Sequence, residues 1–499
     1  MRYSKAYTYF FSFMIFSFSF ALLQAQTKSF KRGLGYNTLL TEDIEVLSPG
    51  LSWVYNWGHK ITDAEIDKSM LDNGVDFIPM AWNGVNRDVL REYLLKHPEI
   101  KYILGFNEPN FGDQANMGPI AAAAKWPELE AIADEFGLTI VGPAVNYAGG
   151  NAVVENGIAY TDPVRYLEDF FAACPDCRVD HIAIHLYMGA SGPVKSSIET
   201  FKKFGKPIWL TEFCAAGTQQ TEKSQAKFMV EVFDYLETDP DIYRYAWFKE
   251  RGSFTTLPFM DLLHKRNEGV LTDLGEIFVN MSSYDDNFYF GTDKQIPSEH
   301  YIRMKGINLE KTNDESGKLN LSSFDFGDWV DYNVDVPEAG EYNIFFRLAA
   351  EYDDDSEIYI SVNNIELSSF TFEKKGVDVW NTQQMKATLE KGKQKIRVGF
   401  KKGGLKLNWW AISKENNPPS SLSEAQHNVV GIYPNPVVDI LNITAEGIAS
   451  VSLSNIQGQL LHTSTQQWTI DMSAYPQGIY LLTIQSLDGK IQTEKIIKK

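Results

Sequence analysis

The sequence predicts an α/β chain: a (β/α)8 TIM barrel, then a β-sandwich, then a small C-terminal β domain. Three observations predict it. Short runs that are apolar throughout alternate with helix-like stretches between about Lys31 and Met281. From Ile296 to Ser413, alternating Val, Ile, Tyr and Phe are punctuated by Gly- and Asn-rich turns. A Pro/Ser/Asn-rich segment, 414–428, then sets off a last strand-rich piece, 429–499.

Before the first strand, Arg2 and Lys5 precede the apolar stretch "YFFSFMIFSFSFALL", which ends in Leu23-Gln24-Ala25. A basic start, an apolar middle and a small-residue cleavage site make residues 1–25 a secretory signal. Its serines and short length argue against an uncleaved anchor, so no membrane span is expected after signal removal.

The strand candidates follow in order: "RGLGYN" (32–37), "LSWVYNW" (51–57), "DFIPMAW" (76–82), "YILGFNEP" (102–109), "TIVGPAV" (139–145), "HIAIHLY" (181–187), "PIWLTEF" (207–213) and "YRYAWF" (243–248). Strands apolar on both faces suit a parallel sheet covered on both sides. Between them, 62–74, 119–137, 162–174 and 221–237 carry helical patterns. Eight such units in roughly 250 residues is the size of a (β/α)8 barrel, predicted here over 26–283. A doubly wound open sheet is the rival, but no glycine-rich phosphate loop follows the first strand. Residues 296–413 alternate as a β-sandwich does.

Acids outnumber bases 65 to 46, a net charge of −19, which argues against nucleic acid as a partner. Cys174 and Cys177 form "CPDC" and Cys214 stands alone. In an oxidising compartment the close pair can bridge. A redox CxxC or a zinc site is the alternative, but neither a thioredoxin-like unit nor further ligands accompany it.

In a parallel barrel the reactive groups sit at the C-terminal strand ends. Glu108 ends the fourth strand and Glu212 the seventh. Either acid alone reads as a salt-bridge partner or a helix cap. Both together, across one mouth, suit glycosidic bond cleavage, where one carboxyl must be protonated and the other ionised.

"GLGYN", "LSWVYNWG", "FIPMAW", "LGFNEPN" with "QANM", "GPAV", "CRVDHIAIHLY" and "GKPIWLTEF" resemble glycoside hydrolase family 128, in order and almost without gaps from about Gly33 to Trp247. The resemblance implies a retaining, endo-acting hydrolase of β-1,3-glucan, with no cofactor for catalysis. It makes Glu108 the acid/base, Glu212 the nucleophile and Asn107 the partner of the sugar 2-hydroxyl. It also implies that His185, Tyr187 and Trp247 line the −1 subsite, with Tyr36, Asn37, Trp53, Asn56, Trp57 and Trp82 as candidates for the substrate floor. Trp53, Tyr55 and Trp57 share one strand face and Asn56 takes the other, so these cannot all touch sugar. The reading of a different class is a non-catalytic β-glucan-binding surface protein, which has no need for both acids.

Residues 296–413 resemble a family 6 carbohydrate-binding module through "SEHY", "GDWVDYNVDVPEAGEYNIFFRLA", "VWNTQQ" and "GGLKLNWW". That resemblance implies a structural calcium ion at Glu299 and Glu310, and a sugar contact at Asn408. The stacking aromatics fall at Ser323 and Val377, so the pair is missing; the module is then purely structural, binds through another face, or uses nearby residues such as Phe326. The tail "YPNPVVDILNI…IIKK", with Lys495, Lys498 and Lys499, resembles a type IX secretion sorting domain. It implies export through the outer membrane by that machinery, to the medium or the cell surface. The chain is expected to act as a monomer.

Overall fold

The computed structural model describes residues 27–420, apart from 253 and 353–355, and 431–499, apart from 434, 445–447, 456–458, 466–467 and 487–490. Residues 1–25, expected to be a signal, and the greater part of the expected 414–428 linker lie outside the described residues.

Eight parallel strands form one sheet: β1 Arg32–Gly35, β2 Trp53–Tyr55, β3 Asp76–Phe77, β4 Tyr102–Leu104, β5 Thr139–Val145, β6 His181–Met188, β7 Ile208–Ala215 and β8 Ile242–Phe248. β1 pairs with both β2 and β8, and the sheet closes where Met80 bridges Leu104 in parallel. Closure is secured by Leu104 N–H donating to Pro79 O and Ala81 N–H to Leu104 O, both 2.9 Å. The helices are α1 Thr41–Leu47, α2 Ala64–Asp72, α3 Arg87–Lys96, α4 Pro119–Phe136, α5 Pro163–Ala173, α6 Ser191–Phe201, α7 Glu222–Thr238 and α8 Asp273–Asn280. Four of them, α1, α3, α6 and α8, were not read from the sequence, being short or weakly patterned.

Alternation along the strands sorts the core into two layers. Trp53, Tyr55, Leu104, Val141, Ala183, Trp209 and Ala246 fill the barrel interior. Leu34, Val54, Ile103 and Leu210 face the helices. Gly33 and Gly35 leave room inside for the large rings of β2. Below them the Arg244 guanidinium lies over Tyr102 at 4.9 Å and Trp209 at 5.5 Å.

Helix ends follow their sequences: the Asp63 carboxylate accepts from Glu65 and Ile66 N–H, and Thr221 caps α7 through Ser224 N–H. Cys174 and Cys177 are joined in a disulfide just past α5, while Cys214 is buried and free.

The residues up to Pro418 form one unit and Pro419–Lys499 a second. Within the first, two six-stranded sheets stack as a β-sandwich, and α7 and α8 pack on its strands Asn308–Lys311 and Leu319–Ser322. Buried Arg32 ties the join, donating to Phe278 O at 2.9 Å and Ser282 O at 2.6 Å. The second unit holds a three-stranded and a four-stranded sheet around its own core of Val437, Leu441, Leu453, Ile470 and Ile496. There the Asn435 side chain binds the last strand, accepting from Ile497 N–H and donating to Lys495 O.

Candidate active site

The ladder ends early at β4, and the next residues turn into the mouth. Glu108 N–H still reaches Ala144 O at 2.8 Å, but the residue adopts a left-handed φ of 40°. Met117 N–H then donates to Pro109 O, folding the chain back on itself. Glu108 is thereby held at the C-terminal edge of the barrel with its carboxylate largely buried. β7 delivers Glu212 in register with His185 of β6. Trp57 follows β2 in another left-handed conformation, φ 57°.

These elements bring two carboxylates and an imidazole together, with one ligand atom of each within 4.8 Å of the others. Glu212 Oε1 accepts from Trp57 Nε1 at 2.7 Å and the Tyr55 hydroxyl at 3.0 Å. Its Oε2 accepts from the Tyr187 hydroxyl at 2.5 Å. Glu108 Oε1 accepts from Asn146 Nδ2, and pairs with His185 Nδ1, both at 2.9 Å. His185 Nδ1 also lies 3.4 Å from Glu212 Oε2, so the ring bridges the acids.

Burial pushes the Glu212 carboxyl up; His185 pulls it down and Glu108 pushes it up again, leaving it above the usual carboxylate range. Burial also pushes Glu108 up, but the His185 and Asn146 contacts outweigh it and hold that carboxyl below its usual range. Burial lowers His185, yet the charges of Glu212 and Glu108 lift the imidazole above its ordinary value. The lowered Glu108 and the raised His185 describe one proton, held in the Nδ1–Oε1 bond. Three neutral donors on the two oxygens of Glu212 are fully satisfied only by its ionised form. Tyr55 and Tyr187 are pushed far up by burial and by Glu212, so they remain donors. Two carboxylates and an imidazole could also ligate a divalent cation, but the tyrosines and Trp57 already occupy both Glu212 oxygens.

Of the other residues singled out in the sequence, Asn107 lies beside Glu108, its Oδ1 buried without a partner and its Nδ2 donating to Gln114 at 3.3 Å. Trp82 is half-buried at the rim, where its carbonyl accepts from Asn107 N–H. Tyr36 points outward into the helix-side core, as alternation after Leu34 requires. Trp53 faces inward but at the bottom, where its Nε1 donates to Lys31 O. Asn56 spends its side chain on the local turn, accepting from Gly58 N–H and donating to Lys60 O. Asn37 is exposed and meets buried Glu250 through its backbone N–H.

Trp247 is a correction. It is fully buried on the helix side, against Phe213 and Phe233, and its Nε1 donates to Met260 O. The alternation of β8 turns its neighbour Phe248 to the mouth instead, 5.4 Å from Tyr187 and 6.0 Å from Trp57. Asn408 is a second correction: it is buried, and its Nδ2 donates to Asp314 Oδ2 and Ser316 O, so it anchors a loop rather than facing solvent. Tyr55, Asn146 and Phe248 were missed as site residues. Asn146 carried the same signal as Glu108 and Glu212, a polar residue directly after an apolar strand.

Residues 33–278 match the family model of a glycosyl hydrolase catalytic core. Residues 298–414 match a carbohydrate binding module (family 6), and 431–499 a secretion system C-terminal sorting domain. A solved endo-β-1,3-glucanase of glycoside hydrolase family 128, subgroup II, from Sorangium cellulosum is 40% identical, covering 50% of this chain and 98% of that one, with TM-score 0.46. Its subgroup II counterpart from Pseudomonas viridiflava is 38% identical over 51% of this chain and 98% of that one, with TM-score 0.45. Alkali-sensitive linkage protein 1 of Schizosaccharomyces pombe is 25% identical over 258 residues, 50% of this chain and only 44% of that protein.

Proposed function

The chain belongs to glycoside hydrolase family 128, and from that membership we propose that it is a secreted, retaining endo-β-1,3-glucanase. The observation that carries the mechanism is the Glu108–Glu212 pair, whose oxygens approach within 4.8 Å. That is close to the ~5 Å at which a second carboxylate attacks carbon directly, and short of the ~6.5–9.5 Å that admits a water between.

Glu212 is the nucleophile. Its oxygen attacks the anomeric carbon while the Glu108 proton passes to the leaving glycosidic oxygen, and the carbon–oxygen bond breaks. Glu108, now ionised, takes a proton from water, whose oxygen displaces Glu212 and restores the free acid. A bound sugar excludes water, and the His185–Glu108 contact then favours neutral imidazole with the proton on Glu108. Asn107, with its unpartnered Oδ1, suits the sugar 2-hydroxyl. Trp57, Trp82, Tyr187 and Phe248 form apolar walls for pyranose faces.

Of the two calcium ligands implied by the family 6 likeness, Glu299 and Glu310, the second does not fit the ion. Glu310 Oε1 already receives the Lys406 ammonium at 2.7 Å and Asn320 Nδ2 at 3.1 Å. We assign residues 1–25 to a signal removed on export, 26–283 to the glucanase, 296–413 to the module and 429–499 to sorting, in a chain acting as a monomer. Among the described residues no helix is long and apolar enough to cross a membrane.

The test is chromatography and proton NMR of the products from linear β-1,3-glucan, β-1,4-glucan and xylan, with Glu212→Ala alongside. Internal β-1,3 oligosaccharides whose new reducing ends first appear as the β anomer, absent with the variant, are expected. An α anomer sinks the retaining mechanism. Binding without any product points to the non-catalytic reading.

A further inference from the structure

We propose that the glucan track does not end at the barrel mouth but continues across the join with the β-sandwich, onto a composite surface carried by Phe259, Lys223, Tyr352 and Phe326. It rests on the glucanase reading above, and its ligand is a β-1,3-glucan chain longer than the cleft.

The route is set by the fold. A helix that follows a barrel strand begins at the mouth end, so the first turn of α7 lies beside the active site. The loop after β8 is fastened to that turn: Gly217 N–H donates to Thr256 O at 2.8 Å, and Gln225 Nε2 to Pro258 O at 2.9 Å. The same loop starts at Phe248 in the site and passes Phe254, whose ring lies 5.8 Å from that of Phe248. Phe259, at its far end, has a left-handed φ of 60° and stands 49% exposed.

The sandwich takes over where α7 begins. Lys223 Nζ lies 3.9 Å from Glu351 Oε1, across the join. Glu351 Oε2 accepts from Ser323 N–H, and the Tyr352 hydroxyl donates to Glu351 Oε1 at 3.0 Å. Beside them Tyr352 is 51% exposed and Phe326 84% exposed, the latter one residue from Asp325, whose charge reaches the Tyr352 hydroxyl. Exposed rings rimmed by charged and hydroxyl groups are what the apolar face and hydroxyl edge of a pyranose require. Asn408, meanwhile, is closed off beneath the 314–316 loop, so sugar contact in this module falls to other residues.

The experiment uses the full chain and the double variant Phe326→Ala/Tyr352→Ala. Read out are retardation in gels containing soluble β-1,3-glucan, KM and kcat on that polymer, and hydrolysis of a β-1,3-linked pentasaccharide. Loss of two stacking rings should weaken polymer retention and raise its KM by about tenfold. The kcat and the pentasaccharide rate should stay unchanged, and Phe326→Trp should retain wild-type retardation. Unchanged retention and KM overturn the proposal, as does an equal loss on polymer and pentasaccharide. If the wild type cleaves nothing yet the double variant loses retention, the glucanase reading fails while the track stands.

Discussion

At the scale of single residues, the active site is a matter of where one proton resides. Glu108 is tied to two donors and Glu212 to three neutral ones, and His185 touches both acids. Asn146 is the adjustable part, since its Nδ2 helps hold Glu108 below its usual range. Removing it in Asn146→Ala should raise the Glu108 value toward the usual carboxylate range. An acid that must be protonated loses activity as pH rises through its own value. The alkaline limb of kcat/KM is therefore expected to move to higher pH, with the acid limb nearly fixed. A uniform loss of rate with unmoved limbs would count against this role. The two acids were legible in the sequence because each ends an apolar strand, and Asn146 was equally legible but passed over. Trp247 was misread by one position: at a strand end, a shift of one residue exchanges mouth for core, and the sequence does not display where the ladder stops.

Among the elements, β1 shows how a short strand governs the site from a distance. Gly33 and Gly35 face inward, and a Cβ on Gly33 would fall within the Trp53 indole. Trp53 stacks on Tyr55, and Tyr55 meets Trp57 edge-on, which places the two donors to Glu212. Gly33→Ala should stiffen the unfolded chain, worth about 0.4–1 kcal/mol of stability, yet overpack the barrel by about 1–3 kcal/mol, so the clash wins. Urea unfolding should show a lower midpoint at an unchanged slope, and KM and kcat should both worsen as the rings shift. A midpoint at or above wild type would show that the interior yields. The eight strands were readable from their apolar runs, but each early run extended past its observed strand. The surplus residues, "NEP" after β4 and "NW" after β2 among them, are those that leave the ladder to build the mouth. The same compositional signal covers strand and site wall, because both are buried.

On the scale of the molecule, the barrel and the sandwich share one unit, so the module is part of the enzyme's fold rather than a tethered passenger. That union was not legible: the change of pattern near residue 283 marked a boundary, while the contacts of α7 and α8 with the sandwich depend on three-dimensional placement. One group at the join reports on it. Asp234 of α7 has its Oδ1 buried without a hydrogen-bond partner. Burial pushes its carboxyl up to about 6, against the pull of Lys195, Arg303 and Met304 N–H. Its unfolded value lies near 4, so the native state binds the proton more tightly than the unfolded chain does. Stability on this account is undiminished below about pH 4, falls as pH rises toward about 6, and is lower by about 2–3 kcal/mol above it. Asp234→Asn removes the ionisation and keeps the shape. Its Tm should exceed that of wild type at pH 7.5 and match it at pH 4.5. Calorimetry of the full chain checks this, and because the barrel and sandwich form one unit the gain should appear in a single shared transition. A gain equal at both pH values would mean that packing, not charge, sets the strain at the join.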